Sequence, residues 1–162
     1  MAQAPEKLRP GPDRMTIRVG VLHGPNLNRL GEREPDRYGL ATLAEVDSRL
    51  SETGSRLHAE TVSFQSNHEG ELIDWIQTGS PDIDGWLVNA AGLTHTSVAL
   101  RDALVASRRP FVEVHLTNVY AREPFRHRSL LADAAVGVIA GFGLRSYVWG
   151  LEALVEYLQS RS

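Results

Sequence analysis

The chain contains no cysteine, and Lys7 is its only lysine among seventeen basic residues. The absence of cysteine excludes disulfide bonds, thiolate nucleophiles and cysteine-ligated metals. Lys7 lies in a stretch rich in proline and charge, which argues against Schiff-base chemistry and against a phosphate-binding lysine loop, since both need a lysine on a folded scaffold. Cationic chemistry in the folded part therefore rests on arginine and histidine.

Excess basic charge and long apolar runs are also missing. The net charge of -3 and the pI near 6.1 argue against a nucleic-acid or acidic-membrane surface, because such surfaces require a basic field. No apolar run reaches the roughly 18 to 20 residues of a membrane span, and the N-terminus has no apolar signal-peptide core. The sequence therefore predicts a cytoplasmic protein with no nucleic-acid and no membrane partner.

Residues 1–15 differ in composition from the rest of the chain. They hold three prolines and almost no bulky apolar side chains, so we expect a disordered leader, with Met15 as a candidate start. Of all 162 residues, 42% are apolar, which is enough for one core of ordinary size. With no internal repeat and no linker, the sequence predicts one domain over residues 16–162.

Apolar runs that predict strands alternate with amphipathic stretches that predict helices. The predicted strands cover residues 17–22, 57–64, 85–89, 111–116 and 136–140. The predicted helices cover about 42–53, 67–77, 96–107 and 144–159, and Thr96 is the expected N-cap of the third. This alternation predicts an α/β, flavodoxin-like doubly wound domain: a five-stranded parallel sheet of order 2-1-3-4-5 with helices on both faces.

Polar side chains follow the first, third and fourth predicted strands. The first ends in His-Gly-Pro-Asn at 23–26, within the loop GPNLNRLGEREPDRYG at 24–39, and the third ends in NAAGLTH at 89–95. The fourth carries Glu113, His115 and Thr117 on one face, where buried polar atoms must be paired. These three strand ends share one crevice in the predicted strand order, which is where such sheets bind ligands.

Each of these features also has a purely structural interpretation. His115 can be a core histidine with satisfied hydrogen bonds, although Glu113 two residues away makes a general acid/base pair equally plausible. Arg29, Arg33 and Arg37 have the spacing of a solvated helix face, which the glycines and prolines of the loop weaken. The chain lacks the acidic cluster of receiver domains, a GxGxxG after the first strand and histidines at zinc-ligand spacing, so we expect no metal.

Several segments together resemble the type II 3-dehydroquinate dehydratases. They are GPNLNRLGEREPDRYG at 24–39, QSNHEGELIDWI at 65–76, NAAGLTHTSVALRDAL at 89–104, EVHLTNVYAREPFRHRS at 113–129 and GVIAGFGLRSYVWGLEAL at 137–154. The resemblance implies a shikimate-pathway hydro-lyase that eliminates water from 3-dehydroquinate with anti stereochemistry, through an enolate and without a cofactor. The chain departs from the commoner NAGG and NPGA forms at 89–92, has threonine for a frequent serine at 117, and has arginine at 128.

The resemblance also implies roles for five catalytic residues. Tyr38 corresponds to the base, and Arg33 to the arginine that activates it from the same loop. His115 corresponds to the general acid for the departing hydroxyl, and Glu113 to the carboxylate that orients it. Asn26 corresponds to the residue that holds a water against the enolate oxygen, an electrostatic contact of the oxyanion-hole kind. Because Gly31 and Gly39 bracket Arg33 and Tyr38, we expect this segment to close as a lid.

The substrate-binding residues follow from the same resemblance. Asn89, Leu116 and Thr117 correspond to the carboxylate pocket, while His95, Arg126 and Asp102 correspond to the groups on the ring hydroxyls. Arg122 adds to the positive field around the base. Asp102 is expected from a neighbouring subunit, in a homododecamer built as a tetramer of trimers. The alternative from another class is a catalytically silent flavodoxin-like module that binds an anionic ligand in the same crevice.

Overall fold

A computed structural model describes residues 16–32, 36 and 39–162. Its five strands are all parallel and lie in the order β2-β1-β3-β4-β5, which confirms the predicted sheet. The strands are β1 Ile17–His23, β2 Ala59–Gln65, β3 Gly85–Asn89, β4 Phe111–His115 and β5 Gly137–Ala140. The longer helices are α1 Leu43–Arg56, α2 Glu69–Gly79, α3 Val98–Ala106 and α4 Leu144–Gln159.

The helices cover both faces of the sheet, and successive strand residues alternate between the two resulting cores. On one face, Val19 and Val21 of β1 pack with apolar residues of α1 and α4. On the other face, Leu22 packs with residues of α2 and α3. All five residues of β3 are buried, as expected for a central strand of a parallel sheet. The two-residue period of the strands therefore decides which helix pair each side chain contacts.

Gly150 allows α4 to lie directly on the sheet. A Cβ at this position would come within 2.6 Å of Val114 Cγ1 and 2.8 Å of Leu87 Cδ1, closer than packed atoms approach. The Thr42 side chain begins α1 with a capping box, since it accepts the Glu45 N–H while the Glu45 carboxylate accepts the Thr42 N–H. These local features fix the helices against the strands whose ends build the site.

Several predicted element ends differ from the structure by one to three residues, and two of these errors have a clear physical cause. The N-cap of α3 is Ser97, whose hydroxyl accepts the Leu100 N–H at 2.9 Å, and not Thr96. The second strand begins at Ala59 instead of residue 57, because α1 continues to Arg56 and His58 turns the chain in the left-handed region at φ 55°. Within the described part of the chain, no helix is long and apolar enough to cross a membrane.

Candidate active site

An open pocket lies where β1, β3 and β4 reach the carboxyl edge of the sheet. Eight of the residues singled out in the sequence line it together: Asn26, Asn89, His95, His115, Leu116, Thr117, Arg122 and Arg126. The topology brings them together because parallel strands end at the same edge, on either side of the point where the chain reverses its direction of winding. Residues as distant in the sequence as Asn26 and Arg126 thus meet around one cavity.

The other predicted residues fall into two groups. Glu113 is fully buried behind His115, and Asp102 is exposed on α3 and does not line this pocket. Arg33 and Tyr38 lie outside the described residues, and so does most of the expected lid. The structure therefore describes the part of the site that the strand ends build, which includes Glu113, His115 and the asparagines at 26 and 89.

His115 and Glu113 form a buried, hydrogen-bonded pair at the end of β4. The distance between His115 Nε2 and Glu113 Oε1 is 2.6 Å, and the two residues are 7% and 0% exposed. A carboxylate accepts hydrogen bonds, so the hydrogen on Nε2 points to Glu113 and Nδ1 is the ring nitrogen left for a ligand. The alternation of the strand brings both side chains to the same face, as predicted.

Ser129 completes this pair and was missed by the sequence analysis. Its hydroxyl lies 2.8 and 3.0 Å from the two carboxylate oxygens of Glu113, and it accepts the N–H groups of Leu131 and Ala132 at 3.0 Å. With its acceptor capacity used by these N–H groups, the hydroxyl can only donate to Glu113. The segment ending in Ser129 was part of the family resemblance, but no periodicity connects it to β4.

The ends of β1 and β3 are joined by backbone contacts. The Gly24 N–H donates to the Asn89 carbonyl oxygen at 2.8 Å, and the Asn26 N–H donates to Asn67 Oδ1 at 2.9 Å. Asn26 has φ 70°, in the left-handed region that asparagine tolerates better than most residues. The backbone of Asn26 is therefore held at the pocket by its own turn and by the loop that follows β2.

Two arginines give the pocket a positive field. The Arg126 Nε–H donates to Glu123 Oε2 at 2.8 Å, and Arg122 Nε lies 3.8 Å from the same oxygen. Hydrogen bonds from its own backbone and from Arg126 hold the pKa of Glu123 below its usual value. Glu123 thus lies between two guanidinium groups, which are the side chains that most often bind carboxylates. Glu123 and Arg29 also line the pocket, although the sequence analysis had not assigned them to it.

His95 is oriented by the loop that carries Arg128. Its Nδ1 lies 2.7 Å from the Arg128 carbonyl oxygen, so Nδ1 carries the hydrogen and Nε2 is left for a ligand. The His95 and His115 rings lie 6.5 Å apart between centroids and within 15° of parallel. Over the described ranges, no group of three or more histidine and acidic side chains is placed to hold a metal ion.

A single flavodoxin-like domain with a His–Glu pair and a cationic pocket at its switch point defines a class of small α/β ligand-binding or catalytic proteins. Within that class, the model of the family Dehydroquinase class II matches residues 17–155. The chain belongs to this family.

Relatives and solved structures agree with that assignment. The chain is 54% identical over 143 residues to the 3-dehydroquinate dehydratase of Nostoc sp., covering 88% of this chain and 97% of the relative. It is 54% identical over 147 residues to that of Azorhizobium caulinodans, covering 91% and 99%. The type II dehydroquinase from Propionibacterium acnes superposes with a TM-score of 0.83 at 39% identity, covering 88% of this chain and 98% of that structure. The likeness therefore extends over almost the full length of each relative.

Proposed function

We propose that this chain is a type II 3-dehydroquinate dehydratase of the shikimate pathway, which eliminates water from 3-dehydroquinate through an enolate. The observation that carries the proposal is the buried Glu113–His115 pair at a pocket with a positive field, in a chain of this family. Arg122 and Arg126 at the pocket suit a carboxylate substrate, and the elimination needs an acid at the departing hydroxyl. No cofactor is required for this chemistry.

His115 serves as the general acid. To give a proton from Nδ1 while Nε2 donates to Glu113, the ring must be an imidazolium, and the buried carboxylate balances that charge. Ser129 keeps Glu113 in place, which fixes the direction of Nδ1. We assign the departing hydroxyl to a position within hydrogen-bond reach of this nitrogen.

The base is Tyr38, with Arg33 as its activator. Ionising a free tyrosine near pH 7 costs about 4 kcal/mol, since its pKa is about 10. A guanidinium beside the phenolate lowers that cost. Arg122, already at the pocket, adds to the same field. Asn26 holds a water against the enolate oxygen, where a fixed dipole stabilises the developing charge.

Substrate recognition is divided between two parts of the pocket. Asn89, the backbone N–H groups of Leu116 and Thr117, and the Thr117 hydroxyl bind the carboxylate. The ring hydroxyls are bound by His95, Arg126 and the Asp102 of a neighbouring copy. The exposure of Asp102 on α3 supports a role at a subunit contact, because it does not reach the pocket of its own chain.

Assembly into a homododecamer is part of the same proposal. Large apolar side chains are exposed along the edge strand β5 and the start of α4: Val136, Val138, Phe142 and Trp149. Such a patch is typical of an interface. Light scattering coupled to gel filtration tests this assembly, and a monomer at micromolar concentration would contradict it. We further propose a cytoplasmic location and a catalytic domain spanning residues 16–162; removal of residues 1–15 is expected to leave turnover unchanged.

The reaction is tested by the ultraviolet absorbance of the conjugated enone product, without added metal or nucleotide. Wild-type protein is expected to turn over 3-dehydroquinate, and Tyr38→Phe to abolish turnover while leaving substrate binding largely intact. Binding without turnover by the wild type would instead support the catalytically silent module. A covalent adduct trapped by borohydride would contradict the enolate route, since that trap requires an imine.

A further inference from the structure

A buried chain of hydrogen bonds runs behind Asn89, on the side away from the pocket. Asn89 Nδ2 lies 3.0 Å from the Tyr147 hydroxyl, which lies 2.9 Å from Nδ1 of His23. His23 Nε2 lies 2.9 Å from Asp47 Oδ1. Tyr147 and His23 are both 0% exposed. The four side chains come from β3, α4, β1 and α1. This series of hydrogen bonds therefore connects the pocket wall to the core on one face of the sheet.

The ionisation of Asp47 determines which atom donates in its hydrogen bond with His23. Burial raises the pKa of Asp47, but hydrogen bonds from His23 and Ser63 outweigh it and leave that pKa below its ordinary value. The ionised Asp47 only accepts, so the hydrogen on His23 Nε2 points to Asp47, and Nδ1 is the ring nitrogen that faces Tyr147.

The Tyr147 hydroxyl lies between His23 and Asn89 and determines the direction of the hydrogen bond to Asn89. Burial raises the pKa of Tyr147, so its hydroxyl keeps its proton. Among residues 16–32, 36 and 39–162, that hydroxyl has hydrogen-bond partners only in His23 and Asn89. Because a buried hydroxyl needs an acceptor, it donates to Nδ1 of His23 and accepts the Nδ2–H of Asn89.

These hydrogen bonds determine which position in the Asn89 side chain holds the amide oxygen and which holds the amide nitrogen. Its Oδ1 accepts the Ala91 N–H at 3.2 Å, and one hydrogen of Nδ2 goes to Tyr147. A reversed amide would place Nδ2 against the Ala91 N–H, which sets two donors against each other. One Nδ2–H is left over, and Asn89 lines the pocket. The group offered to a ligand is therefore a hydrogen-bond donor.

We propose that Tyr147 and His23 are positioning residues that hold the Asn89 amide as a donor to the substrate carboxylate. The inference rests on the proposed function, which places that carboxylate at Asn89. If these hydrogen bonds only connected the four elements, they would contribute to stability without affecting substrate affinity. Kinetic measurements separate these two roles.

The first experiment is Tyr147→Phe, which keeps the ring and removes the hydroxyl. One lost hydrogen bond predicts a KM raised about three- to tenfold, with kcat within about twofold of wild type. The control is Ser107→Ala, which removes a hydroxyl bonded to Trp86 Nε1 beyond the end of α3, at the opposite edge of the sheet. This control is expected to lower thermal stability and leave KM unchanged.

A double-mutant cycle asks whether Tyr147 acts through Asn89. In an Asn89→Ala background, Tyr147→Phe is expected to lose its effect and to change KM by less than about twofold, because the effects of coupled residues do not add. An unchanged effect in that background would overturn the inference, because Tyr147 would then act on the substrate by another route. A loss of thermal stability with no change in KM for the single variant would overturn it as well.

A second pair of variants serves if Tyr147→Phe does not fold. Leucine and asparagine have nearly the same shape, but only asparagine can accept the Tyr147 O–H in place of Nδ1. We expect His23→Leu to raise KM and His23→Asn to keep it within about twofold of wild type; equal KM values would overturn the inference. No turnover by the wild type would overturn the proposed function and the inference with it, whereas an active enzyme whose KM neither substitution moves would overturn the inference alone.

Discussion

Gly24 lies where β1 leaves the sheet beside the loop that follows β3, and it has no room for a side chain. A Cβ built at this position would lie 2.3 Å from the Ala90 carbonyl oxygen and 2.5 Å from the Ala90 carbonyl carbon. Ordinary contacts begin at 3.4 Å, so the two backbones must separate by about 1 Å in Gly24→Ala. The obstacle is backbone, which cannot rotate away as a side chain can.

The separation has a stability cost and a catalytic cost. The 2.8 Å bond from the Gly24 N–H to the Asn89 carbonyl would be stretched beyond hydrogen-bond length. Loss of that bond and the strain of overpacking together predict a decrease of about 2 to 4 kcal/mol in the free energy of unfolding. Because Asn26 and Asn89 would move apart by a similar distance, we expect kcat/KM to fall about 100-fold.

Urea unfolding and the enone absorbance assay measure the two effects in the same preparation. Gly70→Ala is the matched control, since it lies near the start of α2 with no atom within 4 Å of its added Cβ. This control is expected to retain full activity and to gain up to about 1 kcal/mol from helix propensity. If Gly24→Ala kept kcat/KM within twofold of wild type, the strand ends would not need this close approach, and the reasoning would be refuted.

Three further predictions follow from single side chains. Ala91 has φ 50°, a conformation that costs alanine about 1 kcal/mol, so Ala91→Gly is expected to raise stability in urea by up to that amount; a loss would contradict the strain. Ser129→Ala removes the donor to Glu113, and kcat is expected to fall about tenfold with little change in KM, whereas unchanged kcat would exclude a positioning role. Because the pKa of Asp47 is lowered in the fold, its contribution is complete above the pKa of the unfolded carboxyl and is lost as pH falls through the folded pKa. The stability difference between wild type and Asp47→Asn in urea should therefore shrink in acid, and a constant difference would contradict this linkage.

The parallel sheet and the edge that carries the pocket could be predicted from the sequence because both follow from the alternation of strands and helices, whereas the strand order was inferred from the common flavodoxin-like arrangement. Alternating apolar strands and amphipathic helices require a parallel sheet, and a parallel sheet gathers its strand ends at one edge. Polar residues at or just after the strand ends, such as Asn89 and Asn26, could therefore be assigned to this edge from the sequence alone. The pairing of Glu113 with His115 was also predictable, since residues two apart on a strand share a face.

The remaining errors and omissions have a common physical cause. Ser97 and Thr96 are both good capping residues, and only the path of the chain into α3 decides which hydroxyl meets the free N–H groups. Ser129 is sixteen residues from Glu113, and no periodicity spans the irregular segment between them. Its contact exists only because that segment folds back over β4.

The sequence alone determined the family, the class of fold and eight of the residues that line the pocket. Only the tertiary structure decided which atom of each side chain is left to bind a ligand. Nδ1 of His115 and Nε2 of His95 are left for a ligand because Glu113 and the Arg128 carbonyl bind the other nitrogens. The direction of the Asn89 amide depends on Tyr147, 58 residues away, which in turn depends on His23, a further 124 residues back along the chain. Hydrogen-bond direction is a property of atoms in contact, and such contacts between distant segments form only when packing brings them together.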